Sequence, residues 1–273
     1  MLGAINPIAL KLGPFTVHWY GAIIGTAVLL ALFLSVREGQ TRGVHEDNFY
    51  DYLLCALPVA IICARIYYVV FEWSYYAEHP AEIVRIWDGG IAIYGGLIGA
   101  VLTLVIFCRV KELSPWLFMD IMAPTVIMAQ AMGRWGNFIN QEAHGSATTR
   151  AFLKGLMLPN FIIEQMKING VYYQPTFLYE SVWDFAGFIL LMSLRHKVHL
   201  FKRGEVVLTY AGWYSFGRFF VEGLRTDSLM LGFLRVSQWL SVVIFAGSIF
   251  LILYRRYWQP HNPWYLDGNV KYD

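Results

Sequence analysis

The sequence predicts an all-α integral membrane protein with seven transmembrane helices, and three observations carry that prediction. Hydrophobic residues make up 57% of the 273-residue chain and charged residues only 15%, where soluble domains carry roughly a quarter charged residues. Apolar runs recur at about 16–36, 49–71, 90–108, 116–133, 176–194, 206–224 and 236–254. Each is close to the ~20 residues that a helix needs to cross the hydrocarbon core. Lys and Arg fall in alternate connections: Arg37 and Arg42 after the first run, then Arg109 and Lys111 after the third. Arg195, Lys197, Lys202 and Arg203 follow the fifth run, and Arg255 and Arg256 follow the seventh. Positive loops stay on the cytoplasmic side, so the N-terminus is expected outside and the C-terminus in the cytoplasm.

The chain therefore reads as a single seven-helix membrane domain over 1–273, with a small extracytoplasmic insertion at 135–175 between helices four and five. Residues 1–15 are broken by Pro7, Gly13 and Pro14 and are expected at the interface, not across it. They carry no basic n-region and no clear cleavage site, so no removable signal peptide is expected. Trp19, Tyr20, Trp73, Tyr75, Tyr76 and Trp258 gather near the run ends as an aromatic belt would. A net charge of +2 and no basic run interleaved with aromatics exclude a nucleic-acid partner. Cys55, Cys63 and Cys108 sit in apolar runs without C-x-x-C spacing and read as buried small hydrophobes.

The arginines on the outer side need a reason. Arg134 ends the fourth run within GRWGNFINQEAHG, residues 133–145. Gly133 and Gly136 flank it without side chains, so a bulky group can approach the backbone there. A guanidinium beside Asn137 suits a phosphate. Asn140, Glu142 and His144 follow outside the membrane. The sixth run carries Tyr214, Arg218 and Glu222 at i, i+4 and i+8, with Arg225 three residues on. At about 100° per residue these fall within a sector of roughly 80°. A charged stripe facing lipid is prohibitive, so it faces the protein interior or a wet cavity. Arg218 and Glu222 have the spacing of an ion pair, which either fixes helix packing or positions a guanidinium for chemistry.

Gly95 and Gly99 in YGGLIG make a G-x-x-x-G face for close helix packing. Tyr94 beside them either presents its hydroxyl to the same cavity or anchors at the interface, and Tyr20 is open to the same two readings. In QPTFLYE, Pro175 fits a helix start, and Thr176 or Glu180 caps the helix or lines the site. No Ser-x-x-Lys dyad, G-x-S-x-G, H-E-x-x-H or metal-ligand cluster occurs, which argues against a membrane serine or metallo hydrolase. The pattern favours an enzyme that binds an anionic lipid by its phosphate and assists a substitution electrostatically. A lipid transporter using the same arginines needs polar residues along the spans, for which Asp120 and Gln130 are the only hint. A structural subunit leaves the arginine stripe unexplained.

GRWGNFINQEAHG resembles the signature G-R-x-G-N-F-x-N-x-E-x-x-G of the prolipoprotein diacylglyceryl transferase family. WYG at 19–21, YGGLIG at 94–99, QPTFLYE at 174–180 and YSFGRFFVEGLR at 214–225 match family blocks in the same order. The resemblance implies transfer of the diacylglyceryl group of phosphatidylglycerol to the lipobox cysteine thiol in the signal peptide of a prolipoprotein, with glycerol phosphate leaving. It implies that Arg134 holds the lipid phosphate and that Arg218 stabilises charge on the departing group. It links Asn137, Tyr20, Asn140, Gly145 and Tyr214 with substrate binding, and Glu142 and Glu222 with catalysis. No metal or organic cofactor is implied. The expected location is the bacterial cytoplasmic membrane, with the site towards the outer leaflet. Tyr94 departs from enteric-type members, which carry histidine there. A tyrosine with a reference pKa near ~10 is a poor base, so either the position only binds or the thiol loses its proton another way. Glu142 and His144 are alternates for that proton.

Overall fold

The computed structural model describes residues 5–13, 15–226 and 230–267. An antiparallel hairpin of β1 (Ile8–Leu12) and β2 (Phe15–His18) leads directly into α1 (Trp19–Thr41). Then come α2 (Asp47–Phe71), the single turn α3 (Trp73–Tyr76), 3-10 turns at Pro80–Glu82 and Ile86–Asp88, α4 (Ile93–Val110) and α5 (Pro115–Asn140). A compact connection follows, with β3 (Ala147–Thr148), α6 (Arg150–Gly155), α7 (Asn160–Gln165), β4 (Lys167–Ile168) and β5 (Val171–Tyr173). The chain ends in α8 (Thr176–Leu194), α9 (Glu205–Leu224), the hairpin β6 (Met230–Leu231) and β7 (Leu234–Arg235), and α10 (Val236–Tyr257). The architecture is helical, with short strands added at the connections.

Among the described residues six helices, α1, α2, α4, α5, α8 and α10, are long and apolar enough to cross a membrane. The protein is thus a multi-pass membrane protein. α9 has 20 residues but carries Glu205, Arg218 and Glu222, and its own charges lower its hydropathy. The residues form two compact units. One takes the chain up to Leu34 and resumes from Met119 to Asp267; the other is Ser35–Phe118.

In the Ser35–Phe118 unit, α2 and α4 meet through the expected glycine face. A Cβ on Gly95 would fall 2.8 Å from Ala64 Cα, and one on Gly99 would fall 2.8 Å from Cys63 Cβ. Cys108 is buried and Cys63 half-buried, as expected of small hydrophobes, whereas Cys55 is exposed on an apolar stretch of α2. Arg65 lies within the second apolar run, yet it is buried. Its guanidinium donates to the carbonyls of Ile83 (2.8 Å), Gly89 (2.8 Å), Gly90 (2.7 Å) and Glu82 (2.7 Å). One cation thereby gathers four carbonyls of the loop between α3 and α4, of which that of Glu82 also accepts from Arg85 N–H at 3.0 Å.

In the other unit, α5 does not stop at Gly133, where its apolar run ends. It continues to Asn140 because the connection after it builds a small core. Phe138, Leu153, Ile162, Ile163, Met166 and Phe177 are buried together. Buried Gln165 closes the helix end, donating to the carbonyls of Phe138 (3.2 Å) and Ile139 (3.0 Å), and its oxygen accepts from Ile5 N–H at 2.8 Å. β5 is the centre of the three-stranded sheet β3-β5-β4 that covers this core.

α9 is fixed at both ends. At its start, Asp120 of α5, fully buried, accepts from Gly204 N–H (2.6 Å) and Val207 N–H (2.8 Å). This carboxylate caps the helix from another element, satisfying free N–H groups and meeting the positive end of the helix dipole. Glu205, also buried, takes a two-pronged pair from Arg256, both contacts 2.7 Å. Higher up, Trp183 of α8 and Trp213 of α9 stack at 4.3 Å between centroids. Each indole N–H donates to the other residue's carbonyl, at 2.9 and 3.0 Å. Gly217 and Gly187 leave room for the two rings. This reciprocal clasp sets the register of α8 against α9.

Replacing Arg65 by Ala is expected to release the α3–α4 loop, so that trypsin cuts at exposed Arg85 at least about tenfold faster, since cleavage follows the population of the open form. Unchanged cleavage kinetics in detergent would show that Arg65 does not hold that loop.

Candidate functional site

The site is built on α5, α8 and α9. The Trp183–Trp213 clasp lies one turn from Glu180 on α8 and just over one turn from Arg218 on α9, so those two side chains meet in a fixed register. Arg218 Nη1 lies 3.0 Å from Glu180 Oε2 and 3.2 Å from Oε1. Arg134 reaches the same carboxylate from α5, Nη2 to Oε1 at 3.0 Å. Arg218 Nη2 pairs with Glu222 Oε2 at 2.5 Å, the i, i+4 pair that the spacing predicts. The Tyr214 hydroxyl donates to Glu180 Oε1 at 3.5 Å. Two guanidinium groups therefore share one carboxylate, and a second carboxylate backs one of them.

Exposure separates the roles. The side chains of Arg134 and Arg218 are 22% and 18% exposed, whereas Glu180 and Glu222 are 5% and 3% exposed. The arginines form the accessible surface and the carboxylates lie behind. Arg134 Nε is buried with no acceptor among the described residues. Asp184, one turn on from Glu180, is completely buried, and neither of its oxygens has a hydrogen-bond partner among the described residues.

Beyond Arg134 the motif turns back. Arg134 Nη1 lies 3.5 Å from Asn137 Oδ1, and Asn137 Nδ2 donates to Glu142 Oε1 at 3.0 Å. Asn140 Nδ2 donates to the same oxygen at 3.4 Å. Gln141 and Ala143 on either side of Glu142 both have positive φ, 55° each, an uncommon conformation for residues with a Cβ. The turn is held by neighbours: Thr176 Oγ1 donates to Ala143 O at 2.8 Å, and Gly145 N–H to Gln174 O at 3.0 Å. Gly145 also pairs with Arg225, and Ser146 N–H donates to Leu224 O at 3.1 Å. The 133–145 motif, the QPTFLYE segment and the end of α9 are thus joined through their backbones. α9 ends at Leu224, and Arg225 continues extended with φ −75° and ψ 153°. The stripe expected through Arg225 therefore closes at Glu222.

The structure brings Arg134, Asn137, Asn140, Glu142, Tyr214, Arg218 and Glu222 into one connected network. Glu180, its centre, is named in the sequence only as a helix cap or lining residue. Its position four residues before Asp184 was the available signal, since two acids in an apolar run need cations nearby. Tyr20 packs its ring over Gly136, where a Cβ would fall 2.5 Å from Cδ2. His144 lies against the Tyr173 ring at 4.0 Å between centroids, inside the α5–α8 connection. Tyr94, at the start of α4, belongs to the Ser35–Phe118 unit, where it lies 6.4 Å from the Tyr67 ring and keeps 37% of its surface exposed. Asp120 and Gln130 have structural employment: Asp120 caps α9, and Gln130 Oε1 accepts from the Tyr210 hydroxyl at 3.2 Å.

Chemically, a pair of guanidiniums converging on two carboxylate oxygens is a binding geometry for a phosphodiester, which offers two oxygens of similar charge.

Residues 7–254 match the family described as prolipoprotein diacylglyceryl transferase. The chain is 64% identical over 266 residues to the phosphatidylglycerol–prolipoprotein diacylglyceryl transferase of Ligilactobacillus salivarius, covering 97% of this chain and 99% of that one. It is 62% identical over 270 residues to the protein of that name from Lactiplantibacillus plantarum, covering 98% and 96%. The Bacillus licheniformis protein of the same name is 60% identical over 254 residues, 93% of each chain.

Gly145 gives a direct check on the joined backbones. A Cβ there would lie 2.9 Å from Gln174 Cβ and 3.0 Å from Thr176 Cγ2. Gly145→Ala is expected to cost about 1–3 kcal/mol, as overpacking does, and to lower the thermal midpoint in detergent together with activity. A variant with native midpoint and native activity would show that this approach is not required.

Proposed function

The chain belongs to the prolipoprotein diacylglyceryl transferase family, and we propose how its shared-carboxylate arginine pair serves the transfer. The protein is a transferase of lipoprotein maturation that moves the diacylglyceryl group of phosphatidylglycerol onto a prolipoprotein. In our reading the acceptor is the thiol of the lipobox cysteine in the signal peptide, and glycerol phosphate leaves. Arg134 binds the lipid phosphate, aided by Asn137, whose amide is held in turn by Glu142. Arg218 stabilises the charge that grows on the phosphate as its bond to the diacylglyceryl carbon breaks. Glu222 fixes the fork of Arg218. Tyr214, Tyr20, Asn140 and Gly145 shape the binding site.

The observation that supports this reading is the convergence of Arg134 and Arg218 on one carboxylate at 3.0 Å each. Charge stabilisation of this kind acts where water is excluded and the donors are already in place. The thiolate is the better nucleophile, and a free thiol has a reference pKa near ~8.5. Two cations beside the reacting atoms favour the thiolate and the leaving group alike.

The same reading places α9 across the membrane as the seventh span, the N-terminus outside and the C-terminus inside. Its charges point to helices, not lipid, so low hydropathy does not exclude it. The 135–175 insertion then lies outside the cytoplasmic membrane of a bacterium and the arginine pair lies towards the outer leaflet, where signal peptide and lipid enter between helices.

Arg134→Ala and Arg218→Ala are each expected to lower diacylglyceryl transfer to a lipobox peptide by at least about a hundredfold, read by mass spectrometry with phosphatidylglycerol, while the protein still inserts. Activity within tenfold of native in either variant would remove that residue's role. In a cysteine-free background, Lys154→Cys in the insertion is expected to react with a membrane-impermeant maleimide in intact protoplasts. Labelling only after lysis would invert the orientation.

A further inference from the structure

We infer that Glu180 is the proton acceptor for the attacking thiol, and that lipid binding is what makes it one. The inference rests on the reading that Arg134 and Arg218 hold the lipid phosphate. The Glu180 carboxylate occupies the position a phosphate needs: both arginines point their Nη groups at its two oxygens. A phosphodiester that takes those donors must displace the carboxylate from them.

Among the described residues, the other contact of the Glu180 carboxylate is the Tyr214 hydroxyl at 3.5 Å. On its own helix the next turn offers Asp184, a second acid that is completely buried with neither oxygen paired among the described residues. On α9, Glu222 is already the partner of Arg218. On α5, Arg134 is the cation being withdrawn. A buried carboxylate stripped of its cations, with two other carboxyl groups near, is relieved by taking up a proton. While both arginines bond to the Glu180 carboxylate its oxygens are engaged, and once the phosphate takes those donors they are open to the thiol proton.

The step balances. The S–H proton of the cysteine moves to a Glu180 oxygen and the sulfur keeps the electron pair. The thiolate attacks the glyceryl carbon that carries the phosphate ester, a C–S bond forms and the C–O bond breaks. The electron pair of that bond leaves on the phosphate oxygen, beside Arg218. Glycerol phosphate departs as a monoester that carries away the proton from Glu180, and the carboxylate returns to the two arginines. The arrangement also orders the reaction, because the thiol meets a base only when the lipid is in place.

Glu180→Gln keeps shape and hydrogen bonding but accepts no proton. With a lipobox cysteine peptide its rate is expected to fall at least about a hundredfold, the usual scale of general-base catalysis. Phosphatidylglycerol binding, measured in nanodiscs, should be as tight as native or tighter, because a competing anion is gone. A selenocysteine peptide, ionised at neutral pH without a base, should restore the rate to within about tenfold of the native enzyme acting on that same peptide. A cysteine rate within tenfold of native, equal losses for both peptides, or weakened lipid binding would each overturn the inference. Where the Gln variant does not fold, Glu180→Asp gives the same test: the selenol-to-thiol rate ratio should rise above native, and an unchanged ratio would overturn it. The premise is tested separately by lipid binding to Arg134→Ala. Native affinity there removes the phosphate site, while a raised rate ratio in Glu180→Gln still identifies the base.

Discussion

Two guanidinium groups sharing one buried carboxylate is the constraint to which the rest of this bundle is fitted. An arginine in a membrane span is costly alone, by about 2.5–3.5 kcal/mol on insertion scales. Arg134 and Arg218 become tolerable because Glu180 and Glu222 balance them one for one. Removing one partner of such a buried set typically costs about 3–5 kcal/mol, because it leaves the others unmatched. The balance is also what makes the site responsive. An arriving phosphate changes which anion the cations serve without leaving either cation bare.

That geometry is built from features outside the arginine–carboxylate cluster itself. The Trp183–Trp213 clasp sets α8 against α9 through two hydrogen bonds and a stack, and glycines on the facing helices make room for the rings. Asp120 and Glu205 anchor the start of α9, so its far end presents Tyr214, Arg218 and Glu222 in a defined rotation. The small core around Phe138 extends α5 by two turns beyond its apolar run, which carries Arg134, Asn137 and Asn140 on a rigid helix instead of a loop. The strained turn at Gln141 to Ala143 persists because Thr176 holds Ala143 and because Gln174 and Arg225 hold the backbone of Gly145 just beyond it.

Much of this was legible in the sequence, and the physical reason is periodicity. Apolar runs of membrane-spanning length locate the long helices within a few residues, and the i, i+4, i+8 spacing places Tyr214, Arg218 and Glu222 on one face whatever the tertiary structure. The glycines at 95 and 99 likewise announce a close helix contact. What was not legible needed a partner distant in sequence. Glu180 looks like a helix-start residue until Arg134 and Arg218 are seen around it. Arg65 passes unnoticed inside an apolar run because the carbonyls it serves belong to a loop about twenty residues on. Asp120 hints at a polar pathway from sequence and proves to be a cap for a helix 84 residues away. The end of the fourth helix was read short because hydropathy stops at Gly133 while packing continues to Asn140.

The central claim is that the two arginines that share Glu180 also share the phosphate of a bound lipid. Phosphorus–nitrogen dipolar recoupling by solid-state NMR tests it directly, on protein carrying nitrogen-15 in its arginine side chains and reconstituted with phosphatidylglycerol. The account predicts coupling from the lipid phosphorus to two guanidinium resonances, one lost in Arg134→Lys and the other in Arg218→Lys. Coupling to neither arginine, with lipid bound, would contradict it.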